Sequence, residues 1–448
     1  MSKWQKTRIG QFLKVREEKY SPDDKQLIGL KRLNKINFSG EIHLSDKGSK
    51  TDMIIVKPGD LVISGINVAK GAIAVYQGGE PITATIHYSS YMFDENQIDI
   101  EYFKRFTKSQ SFIQVLEVRG GIKTEIKPKH FLPLEICLPD IDEQKRIASF
   151  FKRTESEIKD LNSEISTQSE HLSKLRQAVR QEAIEGKLTA AWRAKHSKLI
   201  SGDNHASKLL EKIQIERERF NKEYRASRKQ SLLPITEKEK PFTIPDGWAW
   251  CRLGEIIYGL PRNGYSPKEV SYETQTKSLK LGATTYGIFN PNEFKYVADE
   301  IPKDSIFWLE PGDILVQRSN SIDYVGVSAI YTGRSKEFIY PDLMMKIRPV
   351  KPLSINLFHT FLSSPTIRMY LRTQAKGSQQ TMPKINQGIV MRTVIPLPPL
   401  SEQAIIVERV NKLMALIERL DKQVSESKEQ AELLTQSVLR EAFQYNPS

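Results

Sequence analysis

The chain has 448 residues, 67 Lys+Arg against 54 Asp+Glu, a formal net charge of +13, and 39% apolar residues. That apolar content suffices for packed cores and excludes wholesale disorder. The two cysteines, Cys137 and Cys251, exclude a disulfide framework and any multi-cysteine zinc module. The positive balance favours a polyanionic partner, because lysines and arginines that displace phosphate counterions gain free energy on binding.

In chain order, the opening MSKWQKTRIG carries no apolar leader, and no window reaches the ~18 uninterrupted apolar residues of a membrane span. A cytoplasmic protein is therefore expected. Residues 1–138 read as a first β-rich domain of short β-branched runs bounded by Gly, Pro and Asp. Residues 139–190 read as a long helix opened by Pro139-Asp140 with Glu143 three positions on. Its apolar stripe runs Ile147, Phe151, Thr154, Ile158, Leu161, Ile165, Gln168, Leu172, Leu175, Val179. Residues 191–245 change character: a charged helix over Ala206–Arg228 carries Leu209, Leu210, Ile213 and Phe220, and an extended linker punctuated by Pro234, Pro241 and Pro245 follows. Residues 246–397 form a second β-rich domain, and residues 398–444 a second long helix that starts at Pro399 and Ser401.

The second half repeats the first. LPDIDEQKRI from Leu138 returns as LPPLSEQAII from Leu397, an offset of 259 that holds without a gap to Glu182-Ala183 and Glu441-Ala442. The stripe returns with it as Ile406, Val410, Leu413, Ile417, Leu420, Val424, Ser427, Ala431, Leu434 and Val438. A 3.5-residue period over four to five heptads is a coiled-coil signature, so the two helices, each about 60–65 Å long, are expected to pair within the chain. Gln168 and Ser427, aligned in the repeat, are expected as polar seam residues that fix register. Earlier, KPGDLVIS around Pro58-Gly59-Asp60 recurs as EPGDILVQ around Pro311-Gly312-Asp313, and KGAIAVYQGG from Lys70 as VGVSAIYTGR from Val325. The Pro-Gly-Asp predicts a turn before a buried strand, Pro setting φ and Gly permitting what other residues resist.

Catalytic signatures are missing. No Asn/Asp-Pro-Pro-aromatic motif, phosphate-binding GxxxxGK[ST] loop, HExxH or GxSxG elbow occurs, and the seven histidines are scattered. Glu125-Ile126-Lys127 is a short match to the end of nuclease patterns of the kind that arises by chance in a Lys/Glu-rich chain. The chain reads as non-catalytic.

Two matched loops are the leading candidates for contacting DNA: VRGGIKTEIKPKH from Val118 and AKGSQQTMPKINQG from Ala375. Lysines suit phosphates, whereas Gln and Asn can pair with adenine in the major groove. Lys123, Lys127 and Lys129 are therefore phosphate candidates in the first half. In the second, Gln379, Gln380 and Asn386 are base-reading candidates, beside Lys376, Ser378 and Lys384. A second loop pair adds Asn67 and Lys70 from SGINVAKG, and Arg318 and Asn320 from QRSNSIDYVG.

These features together resemble the specificity subunits of type I restriction–modification enzymes. The resemblance rests on LPDIDEQKRIASFF and IPLPPLSEQAIIVERV, each closing a β-rich domain and opening a long helix, and on IPDGWAWCRLGEI and EGKLTAAWR. It implies an α+β fold of two β-rich target recognition domains joined by two long helices in an antiparallel intramolecular coiled coil. It also implies that each recognition domain reads half of a gapped double-stranded DNA site, while the helices set the gap and dock two modification (methyltransferase) subunits. Restriction (translocase/nuclease) subunits would complete the assembly. No cofactor is then expected in this chain; S-adenosylmethionine would bind the modification subunits, and ATP with Mg²⁺ the restriction subunits. The loops around Gly120–Lys129 and Lys376–Asn386 become the leading contact regions. The first half lacks an entry like Trp248-Ala249-Trp250, which leaves its N-terminal strand order open. Two other readings stand beside this one: a coiled-coil scaffold whose β-rich heads bind protein, and a self-contained nuclease or methyltransferase.

Overall fold

The structure, a computed structural model, describes residues 4–67, 70–117, 126–223, 232–376 and 383–442. The chain divides into two compact units, residues 1–167 with 424–448 and residues 168–423.

In the first unit, Gln5–Arg8 pairs antiparallel with Glu135–Leu138, which settles the entry strand. A four-stranded sheet runs Leu13–Val15, Tyr88–Phe93, Leu61–Ser64, Ile73–Val75, and a second runs Ile42–Ser45, Arg32–Ile36, Ile82–Thr85, Met53–Val56. The core contains Phe12, Tyr102, Phe103, Phe112 and Phe131, and the first turns of the helix Ile141–Ile184 enter it through Ile147 and Phe151. Burial of these large side chains is the main force seating the helix on the sheet, at about 25 cal/mol per Å² of apolar surface.

The second unit repeats the plan. Ala249–Arg252 pairs antiparallel with Val394–Leu397. One sheet runs Arg262–Asn263, Met344–Ile347, Ile314–Gln317, Ser328–Ile330; the other runs Glu269–Val270, Phe294–Val297, Thr276–Leu279, Phe338–Ile339. The Pro-Gly-Asp turns have the predicted role in both units. Gly59 and Gly312 sit at φ +87° and +88°, where a Cβ would be strained. Asp60 accepts the Lys57 N–H at 3.0 Å and Asp313 the Glu310 N–H at 2.8 Å, and each carboxylate also takes an arginine, Arg16 or Arg348.

The glutamine of each Glu-Gln pair ties a long helix to its β-rich domain. Buried Gln144 accepts from the Asp99 N–H at 2.9 Å and donates to the Gln97 and Pro139 carbonyls. Gln403 accepts from the Ser354 N–H at 3.3 Å and donates to the Pro398 carbonyl. Asp99 and Ser354 are themselves the N-caps of Ile100–Phe106 and Ile355–Leu362. One side chain thus satisfies backbone groups at the starts of two helices.

Within the second unit, the helix Leu400–Ala442 runs antiparallel to the end of the first long helix. Glu402 bonds Thr189, Arg409 reaches the Leu188 carbonyl, and Asp421 pairs with Arg176 at 3.1 Å, so one chain descends as the other ascends. The seam is narrower than the sequence stripe predicts. Ile165, Leu172 and Val179 are buried, as are Val410, Ile417 and Ala431, each set at multiples of seven residues. The alternate positions Leu161 and Leu175, and Leu420 and Leu434, are exposed. So are Gln168 and Ser427, which correct the expectation of polar residues in a buried seam. A two-stranded coiled coil ordinarily packs both apolar lines of each helix; here the line through Leu161 and Leu175, and that through Leu420 and Leu434, remains open to solvent. The side chain of Val438 lies outside the described residues.

The charged segment after the first helix packs within the second unit. The helix Ala206–Glu223 buries Leu209 and Ile213, packs Phe220 against Tyr258 with tilted rings 4.5 Å apart, and anchors Arg217 on the Ile257 carbonyl at 3.1 Å. Buried Arg252 then holds the extended stretch through the Leu233 and Pro234 carbonyls and Glu239. The four apolar residues read in that helix supply a docking stripe, which explains why it does not stand free in solvent.

Candidate nucleic-acid interface

In each unit the two candidate loops are joined by the same backbone bond. The Ile126 N–H donates to the Gly65 carbonyl at 3.0 Å, and the Ile385 N–H to the Arg318 carbonyl at 2.9 Å. Gly65 and Arg318 are 253 apart, the offset of the Pro-Gly-Asp repeat, and Ile126 and Ile385 are 259 apart, the offset of the long helices. An isolated bridge between Ser319 and Lys384 reinforces the second junction. The described ends of the sequence-predicted loops therefore meet in each unit.

In the first unit, Lys127 and Lys129 are exposed at the start of the short helix Pro128–Phe131, with Lys127 as its N-cap residue. Asn67 is half-buried and shapes its own turn, its carbonyl accepting the Lys70 and Ala72 N–H groups at 3.1 Å. Lys70 is exposed, its ammonium 5.8 Å from the Phe38 ring centre. Lys123 lies outside the described residues.

In the second unit, Asn386 occupies the position equivalent to Lys127, as N-cap of Gln387–Arg392. Its side-chain oxygen accepts the Ile389 N–H at 2.9 Å, so that oxygen is committed to the helix start. Asn320 is committed at both ends of its amide, donating to Gln317 Oε1 at 2.9 Å and accepting the Ser321 N–H at 2.7 Å. Arg318 donates one Nη to the Asp342 carbonyl at 3.2 Å. Lys384 is half-buried at the bridge with Ser319. Ser378, Gln379 and Gln380, and the side chain of Lys376, lie outside the described residues.

Three residues missed in the sequence organise this surface. Gln317 is fully buried and donates to the Leu281 carbonyl at 3.1 Å and Thr284 Oγ1 at 3.0 Å while accepting from Asn320. It pins the segment after Thr276–Leu279 to the loop bearing Arg318 and Asn320. Arg368 and Arg372, one helical turn apart on Pro365–Lys376, both donate to the Asp323 carbonyl at 2.8 Å. Burial, and then the neighbouring Arg372, push the Arg368 guanidinium down to about 10, with Asp323 opposing in part. Two arginines so close keep the base of the loop strongly positive. The signal for Gln317 was a polar residue ending the apolar run ILVQ where the first half has Ser64.

No described helix is long and apolar enough to cross a membrane, and no group of three or more His, Cys, Asp or Glu among the described residues could hold a metal ion.

Residues 245–426 match the family model of the type I restriction modification DNA specificity domain. The EcoKI specificity subunit of Escherichia coli K12 is 25% identical over 347 residues, covering 76% of this chain and 64% of that protein. The EcoAI specificity subunit of Escherichia coli is 25% identical over 344 residues, 75% of this chain and 55% of that protein. The chain spans roughly half to two thirds of the length of these relatives. In fold it resembles the HsdS subunit of Thermoanaerobacter tengcongensis, with a TM-score of 0.52 at 15% identity over 98% of this chain and 96% of the other. Residues 245–426 carry the DNA specificity domain, and the chain as a whole is similar in sequence and fold to specificity subunits of type I restriction–modification enzymes.

Proposed function

We propose that this chain is a non-catalytic, cytoplasmic subunit that directs a type I restriction–modification complex to a bipartite, gapped duplex site. The reading is carried by the duplicated loop junction, Gly65 with Ile126 and Arg318 with Ile385, which joins the described ends of two candidate loops in each unit. Two readers of one ancestry with different side chains suit two half-sites of different sequence. Lys70, Lys127 and Lys129 would hold phosphates in one half, and Arg318 and Lys384 in the other. Lys123 and Lys376 would add phosphate contacts, and Ser378, Gln379 and Gln380 base contacts, in the adjoining loops, while Asn386 would donate to a base through its amide N–H groups alone.

The exposed second line of leucines supports docking of two identical helical partners, the modification subunits. Leu161 and Leu420, and Leu175 and Leu434, are related by the repeat offset of 259, so what fits one helix fits the other. Restriction subunits would join that assembly. S-adenosylmethionine would then bind the modification subunits, and ATP with Mg²⁺ the restriction subunits. Co-expression with the modification subunit and mapping of N6-methyladenine in host DNA tests the reading. A single two-part motif with a fixed gap is expected; an assembled complex that methylates no such motif refutes it and favours a protein-binding scaffold.

A further inference from the structure

Besides the two predicted loops, each unit presents a third turn at the same surface, and no sequence motif marks it. In the first unit it joins Arg32–Ile36 to Ile42–Ser45; in the second it joins Thr276–Leu279 to Phe294–Val297. These hairpins are counterparts. In each, the first strand pairs antiparallel with its successor and parallel with a later strand, Arg32 with Thr83 and Lys277 with Phe338. Each turn contains a glycine of positive φ, Gly40 at +88° and Gly287 at +73°. A Cβ on Gly40 would meet the Ile73 carbonyl at 2.9 Å, and one on Gly287 would lie 3.7 Å from the Ser328 carbonyl. Ile73 and Ser328 correspond in the KGAIAVYQGG/VGVSAIYTGR repeat, so both turns rest on the same strand position.

Each turn is fastened to a candidate DNA loop. Lys108 Nζ donates to the Phe38 carbonyl at 2.9 Å, a Cβ on Gly71 would stand 2.9 Å from that carbonyl, and Lys70 lies over the Phe38 ring. In the other unit, buried Gln317 holds Leu281 and Thr284, and the Asn290 N–H donates to the Ala283 carbonyl at 2.9 Å. The turns are thus ordered, yet Phe38, Tyr286 and Ile288 on them face solvent, while Leu281 and Phe289 pack against the core. Phe38 is 54% exposed, Tyr286 86% and Ile288 71%. Scattered exposed apolar groups are ordinary. An aromatic on a pinned turn beside cationic loops, recurring in both halves of a duplication, is a more specific arrangement.

Resting on the recognition reading above, we infer that these hairpin turns are a third DNA-contact element in each unit, with Phe38 and Tyr286, the latter aided by Ile288, as apolar contacts to the duplex. Lysines and arginines of the neighbouring loops hold phosphates, and the aromatic is set to meet base edges or sugars between them. A rigid apolar group there discriminates by fit, for instance against the thymine methyl, and costs little ordering entropy.

The test uses the full chain assembled with its modification subunit. Phe38→Ala, Tyr286→Ala and Ile288→Ser should leave thermal unfolding unchanged, since each side chain is largely exposed. Tyr286→Ala should weaken binding to the methylation motif at least tenfold without altering the salt slope, because no charge is removed. Mismatch tolerance should rise in one half-site only, and Phe38→Ala should relax the other. With 5-iodo-deoxyuridine placed through the motif, photocrosslinks should map to Tyr286. A wild-type motif with all variants within twofold of wild type and no crosslink overturns the hairpin contacts alone. Loss of subunit assembly with no change in mismatch tolerance assigns the turns to protein docking and also overturns them. A wild-type complex without any motif overturns the recognition reading and the hairpin contacts with it.

Discussion

Glu402 offers an internally controlled test of how the second long helix is anchored. Its carboxylate is fully buried and accepts from Thr189 Oγ1 and Arg193 Nη1, each at 2.5 Å, and from Trp248 Nε1 at 2.8 Å. Glu402→Ala leaves the Arg193 guanidinium facing a cavity and removes the acceptor of a buried indole. Arg193 keeps the Gly186 carbonyl at 2.7 Å, which limits the loss. Breaking a buried pair costs about 3–5 kcal/mol, and the retained bond places this case near 3. At roughly 2–4 °C per kcal/mol, the melting midpoint of the transition involving the second unit should fall by about 6–12 °C. The repeat supplies the control, because the equivalent Glu143 forms an ion pair with solvent-exposed Arg146 and no buried one among the described residues. Glu143→Ala should leave the midpoint essentially unmoved. Calorimetry of the two variants, with a double-mutant cycle through Arg193→Ala, measures the coupling. Equal small shifts for both variants, or no coupling between Glu402 and Arg193, would refute the anchor.

Three further outcomes are expected. Gln317→Leu should relax recognition at one half-site while sparing the other, because it frees two segments of one unit only; methylation mapping reads this directly. Lys127→Ala should weaken binding for every sequence and flatten its salt slope, as removal of one phosphate contact requires, whereas a sequence-dependent loss would make Lys127 a base reader. For acid stability, hydrogen bonding from Arg252 holds the Glu239 carboxyl down at about 2. A depressed folded value stabilises the fold above the ordinary carboxyl range, and that contribution is lost as pH falls from there toward 2. Glu239→Gln should accordingly flatten the fall in stability of the second unit between about pH 5 and 2, and an unchanged acid limb would argue against the pair.

The frame was legible where a local pattern carried it. The 259-residue offset, the 3.5-residue stripe and the Pro-Gly-Asp turns all announced themselves in short windows, and the helices and turns occur where expected. Part of each stripe proved exposed, Leu161, Gln168 and Leu175 in one and Leu420, Ser427 and Leu434 in the other, because sequence periodicity records every apolar flank of a helix without saying how many are filled inside one chain. Side-chain commitments were not legible. Asn386 looks like a base reader and Asn320 like a DNA contact in sequence, yet the second spends both ends of its amide, and the first its oxygen, on local backbone or a neighbour. Arg368 and Arg372 act through a partner 45 and 49 residues away and leave no short-range trace, and for Gln317 only the polar end of the run ILVQ hints at its partners 33 and 36 residues away. The aromatic hairpins escaped notice because Phe38 and Tyr286 fall in turns of unequal length, where the repeat breaks.

What the duplication keeps and what it lets drift separates scaffold from reader. The bonds that recur under the offsets are made by backbone or by buried side chains: Ile126 with Gly65 and Ile385 with Arg318, Gln144 and Gln403 at the helix starts, Asp60 and Asp313 at their turns. Such bonds fix where a surface lies while leaving its side chains free to vary, since a main-chain donor and acceptor are present whatever residue occupies the position. The exposed positions differ in chemistry: Lys127 against Asn386 at one helix start, Phe38 against Tyr286 on one turn. A reader built this way can change its target by substitutions that leave the fold intact. Glu402 marks the limit of that freedom, for there one copy has drawn a conserved frame position into a buried ionic anchor with Arg193 while its twin, Glu143, remains a surface carboxylate.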